Sequence, residues 1–293
     1  MSFSRIALIG FGEVGQILAQ DLAKAGVAEV AAWDVAFARA DSDPSRAVVG
    51  QPVRAATGAA DAVQGAQLVI SAVTAAEDLE AARSVQSGID PGAFFLDLNS
   101  CSPGQKLASA ALLQSVGARY VEAAVMSPFP PRRIASPMLL GGPHAGDFLQ
   151  AAEGLGFAGA SVFSDQVGRA AAAKLCRSVM IKGVESLLTE SLLAARHYGV
   201  EQVVLDSLSD LLPLPDWNAT AQYMITRSLE HGTRRAEEMR EAARTVAEAG
   251  VRPLMSEAIA RRQDWAANYR SAMSDDLATT LDAINHRLRE GHL

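Results

Sequence analysis

Residues 6–15 read Ile6-Ala7-Leu8-Ile9-Gly10-Phe11-Gly12-Glu13-Val14-Gly15, an apolar strand pattern that runs straight into a G-x-G-x-x-G turn. Gln16-Ile17-Leu18-Ala19-Gln20-Asp21-Leu22-Ala23 follows with helical patterning. The motif alone is a weak signal, but between a strand and a helix it predicts a dinucleotide-binding turn. Gly10 permits the tight turn, Gly12 leaves no side chain between backbone and pyrophosphate, and Gly15 lets the helix pack close to the strand. With Phe11, Glu13 and Val14 they form the expected phosphate-side set, at a helix start whose dipole favours an anion.

Val27-Ala28-Glu29-Val30-Ala31-Ala32-Trp33 reads as a second strand, with Asp34 at its C-terminal end. That is about 20 residues beyond the turn, where a carboxylate accepts hydrogen bonds from the adenine ribose hydroxyls. The same charge repels a 2′-phosphate, so NAD is expected ahead of NADP. Arg39 and Arg46 lie downstream as possible phosphate partners, and an aspartate that merely opens a loop is the alternative reading of Asp34.

The chain has 293 residues, and 49% of them are hydrophobic, enough for more than one core. Single cores rarely grow past about 250 residues, so two domains are expected. The net charge of −7 gives no global positive field to recruit nucleic acid. Two cysteines, Cys101 and Cys176, make no disulfide framework and fit a reducing compartment. Glu13 interrupts any signal-peptide core, and no apolar run approaches the ~20 residues that cross a bilayer. The expectation is a cytoplasmic chain without nucleic-acid or membrane partners.

The first half alternates strand and helix patterns, as a parallel sheet with crossover helices requires. After a polar loop at 40–44, strand patterns fall at 53–55, 68–73, 93–98, 119–125, 138–141 and 161–164. Ligands of open sheets bind at the C-terminal strand ends. Ser71, Val73, Thr74 and Asn99 therefore belong on the same rim as the glycine turn. From about Gly168 strand signals vanish, and helices are predicted at 168–198, 201–211, 217–249, 253–273 and 275–290. Gly199, Pro213, Pro215, Gly250 and Pro253 divide them. The fold class expected is α/β: a Rossmann-type doubly wound parallel sheet over 1–166, with an all-α substrate and dimerisation domain over 167–293. Its apolar stripes exceed what a small helical lobe buries alone, which predicts a homodimer through the helical domain.

Hydride transfer needs a group that accepts or donates a proton near the nicotinamide. Gly168-Arg169-Ala170-Ala171-Ala172-Ala173-Lys174-Leu175-Cys176-Arg177-Ser178 offers one. At ~100° per residue, Lys174, Ser178, Lys182 and Glu185 fall within one helix face about 80° wide. Lysine is rarely buried without a reason, and a lysine whose pKa is lowered in a cleft suits proton transfer near neutral pH. A solvated face with Lys182 and Glu185 as a surface pair fits the same spacing.

The glycine turn, Asp97-Leu98-Asn99-Ser100-Cys101-Ser102-Pro103-Gly104 and the Gly168…Lys174 segment come in the order and spacing of the β-hydroxyacid dehydrogenase superfamily. The chain resembles this superfamily over nearly its whole length. Its members include 3-hydroxyisobutyrate, tartronate semialdehyde and 6-phosphogluconate dehydrogenases. The stretch His231-Gly232-Thr233-Arg234-Arg235-Ala236-Glu237-Glu238-Met239 is most similar to a phosphogluconate-dehydrogenase-like, NAD-binding branch. The resemblance implies that Lys174 takes the hydroxyl proton as hydride leaves for the nicotinamide. It implies that Asn99 and Ser100 lie beside nicotinamide and substrate, that residues 71–74 cover the cofactor, and that the substrate is a small hydroxyacid. Such an oxidation needs a general base and the dinucleotide, with no metal, and the sequence offers no metal-ligand cluster.

There are departures from the family pattern. The usual substrate-binding Ser-Gly-Gly is replaced by Met126-Ser127-Pro128, with Ser127 as the nearest serine. Ser178 stands where asparagine is usual. The acid glutamate of true 6-phosphogluconate dehydrogenases falls near Ile181, so their decarboxylation is not expected here. Ser100, Ser127, Ser178, Lys182 and His231 make up the expected substrate-side set. For His231, with an unperturbed pKa near neutrality, substrate contact and helix packing are equal readings.

The planar forks of Arg132 and Arg133 suit a carboxylate, although a solvated loop is the commoner outcome. Cys101 reads as a small packed residue. Trp217-Asn218 reads either as pocket lining or as a helix anchor. The function expected is NAD-dependent oxidation of a β-hydroxyacid-like alcohol, or its reverse. A C=N reductase of related architecture, which usually lacks the lysine, and a non-catalytic NAD sensor are the alternatives.

Overall fold

The computed structural model describes residues 3–211, 213 and 216–290, so the turn expected at Pro215 lies outside the described residues. The chain divides into two compact units, Met1–Leu175 and Cys176–Leu293.

The first unit is built on strands β1 (Arg5–Ile9), β2 (Glu29–Trp33), β3 (Arg54–Ala55), β4 (Leu68–Ser71), β5 (Phe94–Asp97), β6 (Arg119–Val125), β7 (Met138–Gly141) and β8 (Ala160–Ser164). Helices α1 (Glu13–Lys24), α2 (Asp43–Val48), α3 (Ala59–Val63), α4 (Asp78–Val85), α5 (Pro103–Gln114) and α6 (Ala145–Ala151) connect them. All lie in one eight-stranded sheet of order β3-β2-β1-β4-β5-β6-β7-β8. Pairing is parallel from β3 through β6; β7 runs antiparallel to β6, and β8 is parallel to β7.

Because helices cover both faces, β1 alternates between two apolar layers. Ile6 and Leu8 join Phe94, Leu96 and Phe148, while Ala7 and Ile9 join Val69, Phe95 and Tyr120. Strand order reverses between β1 and β4, which places a crevice at their C-terminal ends. The turn after β1, Asp34 after β2, residues 72–74 after β4 and residues 98–102 after β5 all lie on that rim. The loop expected at 40–44 is partly helical, because Ser42 caps α2 by accepting from Ser45 N and Pro44 occupies its first turn.

The second unit holds most of α7 (Arg169–Tyr198), which starts in the first unit, then α8 (Glu201–Leu211), α9 (Trp217–Glu248), α10 (Leu254–Ala267) and α11 (Leu277–Arg289). Leu192, Leu205, Trp217, Ile225, Leu281 and Ile284 share its core. Trp217 thus anchors α9. A Cβ on Gly232 would lie 2.4 Å from Gln263 O, so this glycine lets α9 and α10 meet closely. Just before it, His231 (φ −119°, ψ 15°) kinks α9. Among the described residues no helix is long and apolar enough to cross a membrane.

Candidate active site

The three glycines of the first turn have separate physical roles. Gly10 has φ +94°, and a Cβ there would sit 2.4 Å from Ala72 O at the end of β4. A Cβ on Gly15 would sit 2.3 Å from Gly10 O. Around a Cβ on Gly12, by contrast, nothing lies within 4 Å. No side chain caps α1 at Gly12, so its first amides are available to an anion. An uncapped helix start beneath open space fits a dinucleotide pyrophosphate. Phe11 is buried in the core and contributes only backbone here.

Asp34 ties the turn to β2. Its Oδ2 accepts from Phe11 N at 2.7 Å and its Oδ1 from Ala36 N at 2.8 Å. A carboxylate accepts about four hydrogen bonds, so capacity remains for ribose hydroxyls.

On the β4–β5 rim the polar side chains are spent inside the fold. Asn99 Oδ1 accepts from Val73 N at 2.7 Å, and its Nδ2 donates to Ser71 Oγ at 2.9 Å and Asp78 Oδ1 at 2.8 Å. Both Asn99 and Ser71 are buried. They brace the 71–74 loop against the 97–102 segment, and Thr74 is the exposed member of the set.

Beneath this rim lies a buried ion cluster that pattern reading did not anticipate. Lys106, on α5, is 2% exposed and sits 2.6 Å from Asp97 Oδ1 and 3.8 Å from Asp78 Oδ1. Tyr120 donates to Asp97 Oδ2 at 2.6 Å, and Ser109 to Asp78 Oδ2 at 2.8 Å. Burial pushes the Asp97 carboxyl up to about 7 against the pull of Lys106. Asp78 is also penalised by burial, yet Lys106 and its hydrogen bonds hold it below its ordinary value. Burial likewise pushes the Cys101 thiol up, away from thiolate chemistry. The oxygens of Asp78 and Asp97 and the Cys101 sulfur lie within 4.8 Å of one another, but the Lys106 ammonium already supplies the positive charge in that cluster.

Lys174 lies in the second turn of α7. Its Nζ donates to Ser100 Oγ at 2.6 Å. Both residues line a cavity of about 10 Å³, together with Lys106, Glu122 and Ala171. That is room for roughly one water. Of the 26 basic residues only four are lysine (Lys24, Lys106, Lys174 and Lys182), and Lys24 alone is exposed. Lysine scarcity, and the single acid in the apolar β6 pattern (Glu122), are signals in the sequence that point to this cluster.

Ser127 follows β6 and donates to Pro128 O at 3.0 Å. Arg133 (φ +55°) fastens the same loop to α1. Its Nε donates to Asp21 Oδ1 at 2.9 Å and its Nη2 to Gln20 Oε1 at 3.0 Å. Arg132 is exposed.

In the second unit, Lys182 is buried. Its Nζ donates to Ser178 Oγ at 3.3 Å and pairs with Glu238 Oε2 at 2.8 Å. Glu185 pairs instead with Arg235, and Gln263 Nε2 donates to Glu185 Oε2 at 3.4 Å. The surface pair that spacing allowed between Lys182 and Glu185 is therefore two separate pairs made with residues of α9, that of Lys182 with a half-buried Glu238 and that of Glu185 with a buried Arg235. His231 is half-buried with Nε2 3.2 Å from Glu230 Oε2. Burial pushes its pKa down against the pull of Glu230.

The NAD binding domain of 6-phosphogluconate dehydrogenase matches residues 5–163, and a domain of unknown function (DUF1932) matches residues 195–266. The chain belongs to the β-hydroxyacid dehydrogenase superfamily. As a member of this superfamily it is an NAD(P)-dependent oxidoreductase with a nicotinamide cofactor. A conserved hypothetical protein from Sinorhizobium meliloti is 32% identical, with 97% of each chain covered and a TM-score of 0.78. The 3-hydroxyisobutyrate dehydrogenase of Mycobacterium tuberculosis, solved with L-serine, is 20% identical over 98% of this chain and 99% of that one (TM-score 0.72). An imine reductase of Streptomyces aurantiacus is 21% identical over 96% and 99% (TM-score 0.56). The last two share the fold. Comparison with curated proteins gives no match.

Proposed function

We propose that this dehydrogenase moves a hydride between NAD and the alcohol carbon of a small β-hydroxyacid, with Lys174 as general base in oxidation and general acid in reduction. The observation that carries the reading is the 2.6 Å hydrogen bond from Lys174 Nζ to Ser100 Oγ, at the end of the sheet where the glycine turn and Asp34 also lie. A bound nicotinamide supplies the hydride acceptor. As the C–H hydride departs, the hydroxyl proton passes to the neutral Lys174 amine and the carbonyl forms. Ser100 holds that amine, and its own hydroxyl hydrogen is free to rotate toward a substrate oxygen.

Gly10 to Gly15 are proposed to hold the pyrophosphate and Asp34 the adenine ribose, with NAD favoured over NADP by the Asp34 charge. Ser71 and Asn99 serve the cofactor by bracing the loop that carries Val73 and Thr74. Ser127, Ser178 and His231 are the proposed substrate-side groups. Lys182, engaged by Glu238, acts there by holding Ser178. Residues 1–166 are proposed to bind the cofactor and residues 167–293 to serve substrate and dimer. Exposed Met180, Ile181 and Leu187 on α7 support pairing with a second copy, which light scattering after gel filtration tests.

The deciding experiment follows absorbance of the reduced nicotinamide across a hydroxyacid panel with NAD and NADP. Lys174→Ala is expected to lower kcat by ~10²-fold or more, the usual worth of a positioned acid–base group, with NAD affinity kept within about 2-fold. Turnover by Lys174→Ala near the parent rate refutes the role of Lys174. Tight NAD binding without turnover points to a sensor, and amine-dependent NADPH consumption to a C=N reductase.

A further inference from the structure

The start of α7 is held by a side chain from another element. Glu122 is the fourth residue of β6 and is 1% exposed. Its Oε2 accepts from Gly168 N at 2.9 Å and its Oε1 from Ala170 N at 2.8 Å. These amides flank the first residue of the helix, where backbone donors lack intrahelical partners and the dipole favours negative charge. The fold reserves space for this carboxylate. Gly141, the partner of Glu122 across β6 and β7, would place a Cβ 2.3 Å from Glu122 Oε1. Lys174 follows one turn after Ala170, and Glu122 and Lys174 line the same cavity of about 10 Å³.

We propose that Glu122 is the positioning residue of Lys174: it fastens the start of α7 to the sheet and supplies a buried negative charge beside the cavity that the lysine lines. The proposal rests on the reading of Lys174 as the proton-transfer group. A cap of purely structural worth would hold the helix without influencing the lysine. The geometry argues for more, because Glu122 is 1% exposed and lines the same one-water cavity as Lys174. The other ionisable groups around it are Lys106 from α5, which carries Asp97 from β5 and Asp78 from α4 as its partners, the Cys101 thiol and, on α7 itself, exposed Arg169.

With four lysines in the chain, [¹³C]lysine labelling gives four ε-methylene signals, and Lys174→Arg identifies that of Lys174 by its loss. In Glu122→Gln, the titration midpoint of Lys174 is expected to fall by about one unit, the scale of losing a nearby opposite charge, while Lys24 stays put. Glu122→Asp, which keeps the charge, is expected to restore most of the shift. NAD affinity is expected to stay within about 2-fold. An unmoved Lys174 midpoint in folded Glu122→Gln overturns the proposal.

Where that variant does not fold, the parent protein is read instead. Protonation of Glu122 is expected to move the Gly168 and Ala170 amide signals and the Lys174 signal with one shared midpoint. Asp97 is told apart because it reports at the Asn99 amide, which donates to it at 2.9 Å. Absence of a shared midpoint overturns the proposal. The two readings fail separately. Full turnover by Lys174→Ala removes the role of Lys174, whereas lost turnover there with an unmoved midpoint in Glu122→Gln removes only that of Glu122.

Discussion

Alanine at each glycine of the first turn separates folding from binding. At Gly10 the substitution forces an alanine to φ +94° with its Cβ 2.4 Å from a backbone carbonyl. The strained backbone costs about 1–3 kcal/mol, and overpacking against atoms that cannot retreat adds about 1–3 more. A loss of roughly 3 kcal/mol or more is expected. Gly15→Ala meets Gly10 O at 2.3 Å and falls in the same class. Gly12→Ala is different, since φ is −72° and a Cβ there meets nothing within 4 Å. Lower unfolded-state entropy gains about 0.4–1 kcal/mol, and a poorer N-cap loses about 0.5–1. The net is within about 1 kcal/mol of zero. If a pyrophosphate lies over Gly12, that same methyl group occupies its space, and NAD affinity should fall by at least ~100-fold, or about 2.7 kcal/mol. Urea unfolding and calorimetric NAD titration of the three variants provide the assay. A stable Gly12→Ala protein that binds NAD like its parent would refute the placement of the pyrophosphate. A Gly10→Ala protein as stable as its parent would refute the steric reasoning.

Three further outcomes are expected. Asp97 keeps a proton in the folded state up to about pH 7, against an ordinary value of 3.8. Its contribution to stability is thus present in full below about pH 3.8 and lost as the pH rises to about 7. Asp97→Asn should flatten that part of the fall in urea midpoint, and an unchanged slope would show that Asp97 ionises normally. Arg235→Met leaves Glu185 buried without its partner and should cost about 3–5 kcal/mol, most of it recovered by adding Glu185→Leu; a single variant within 1 kcal/mol of the parent would contradict the burial of this pair. Asp34→Ala should raise the ratio of NADP to NAD use, measured as kcat/KM, by ~10-fold or more if its charge sets the preference, whereas an unchanged ratio assigns Asp34 to the loop alone.

Strand ends were legible in the sequence because a sheet covered on both faces must be written as continuous apolar runs. Residues 68–70 and 94–96 are such runs, and they fixed which loops share a rim with the glycine turn. The site was legible only as far as backbone placement reaches. Asn99 and Ser100 are adjacent in sequence, but the Asn99 amide is consumed by Val73, Ser71 and Asp78, whereas Ser100 meets Lys174. No one-dimensional pattern distinguishes them, because the partners come from three other segments. The same holds on α7. Helical spacing put Lys182 and Glu185 on one face, and α9 then supplied each with a different counter-ion. Glu122 marks the opposite case. A lone acid in an apolar strand was visible in the sequence, but its meaning depended on Gly168 and Ala170, more than forty residues away. A buried charge is costly unless it is paired or hydrogen-bonded, so each charged residue inside an apolar run implies a distant partner. In this chain the partner of Glu122 is the start of the helix that bears Lys174.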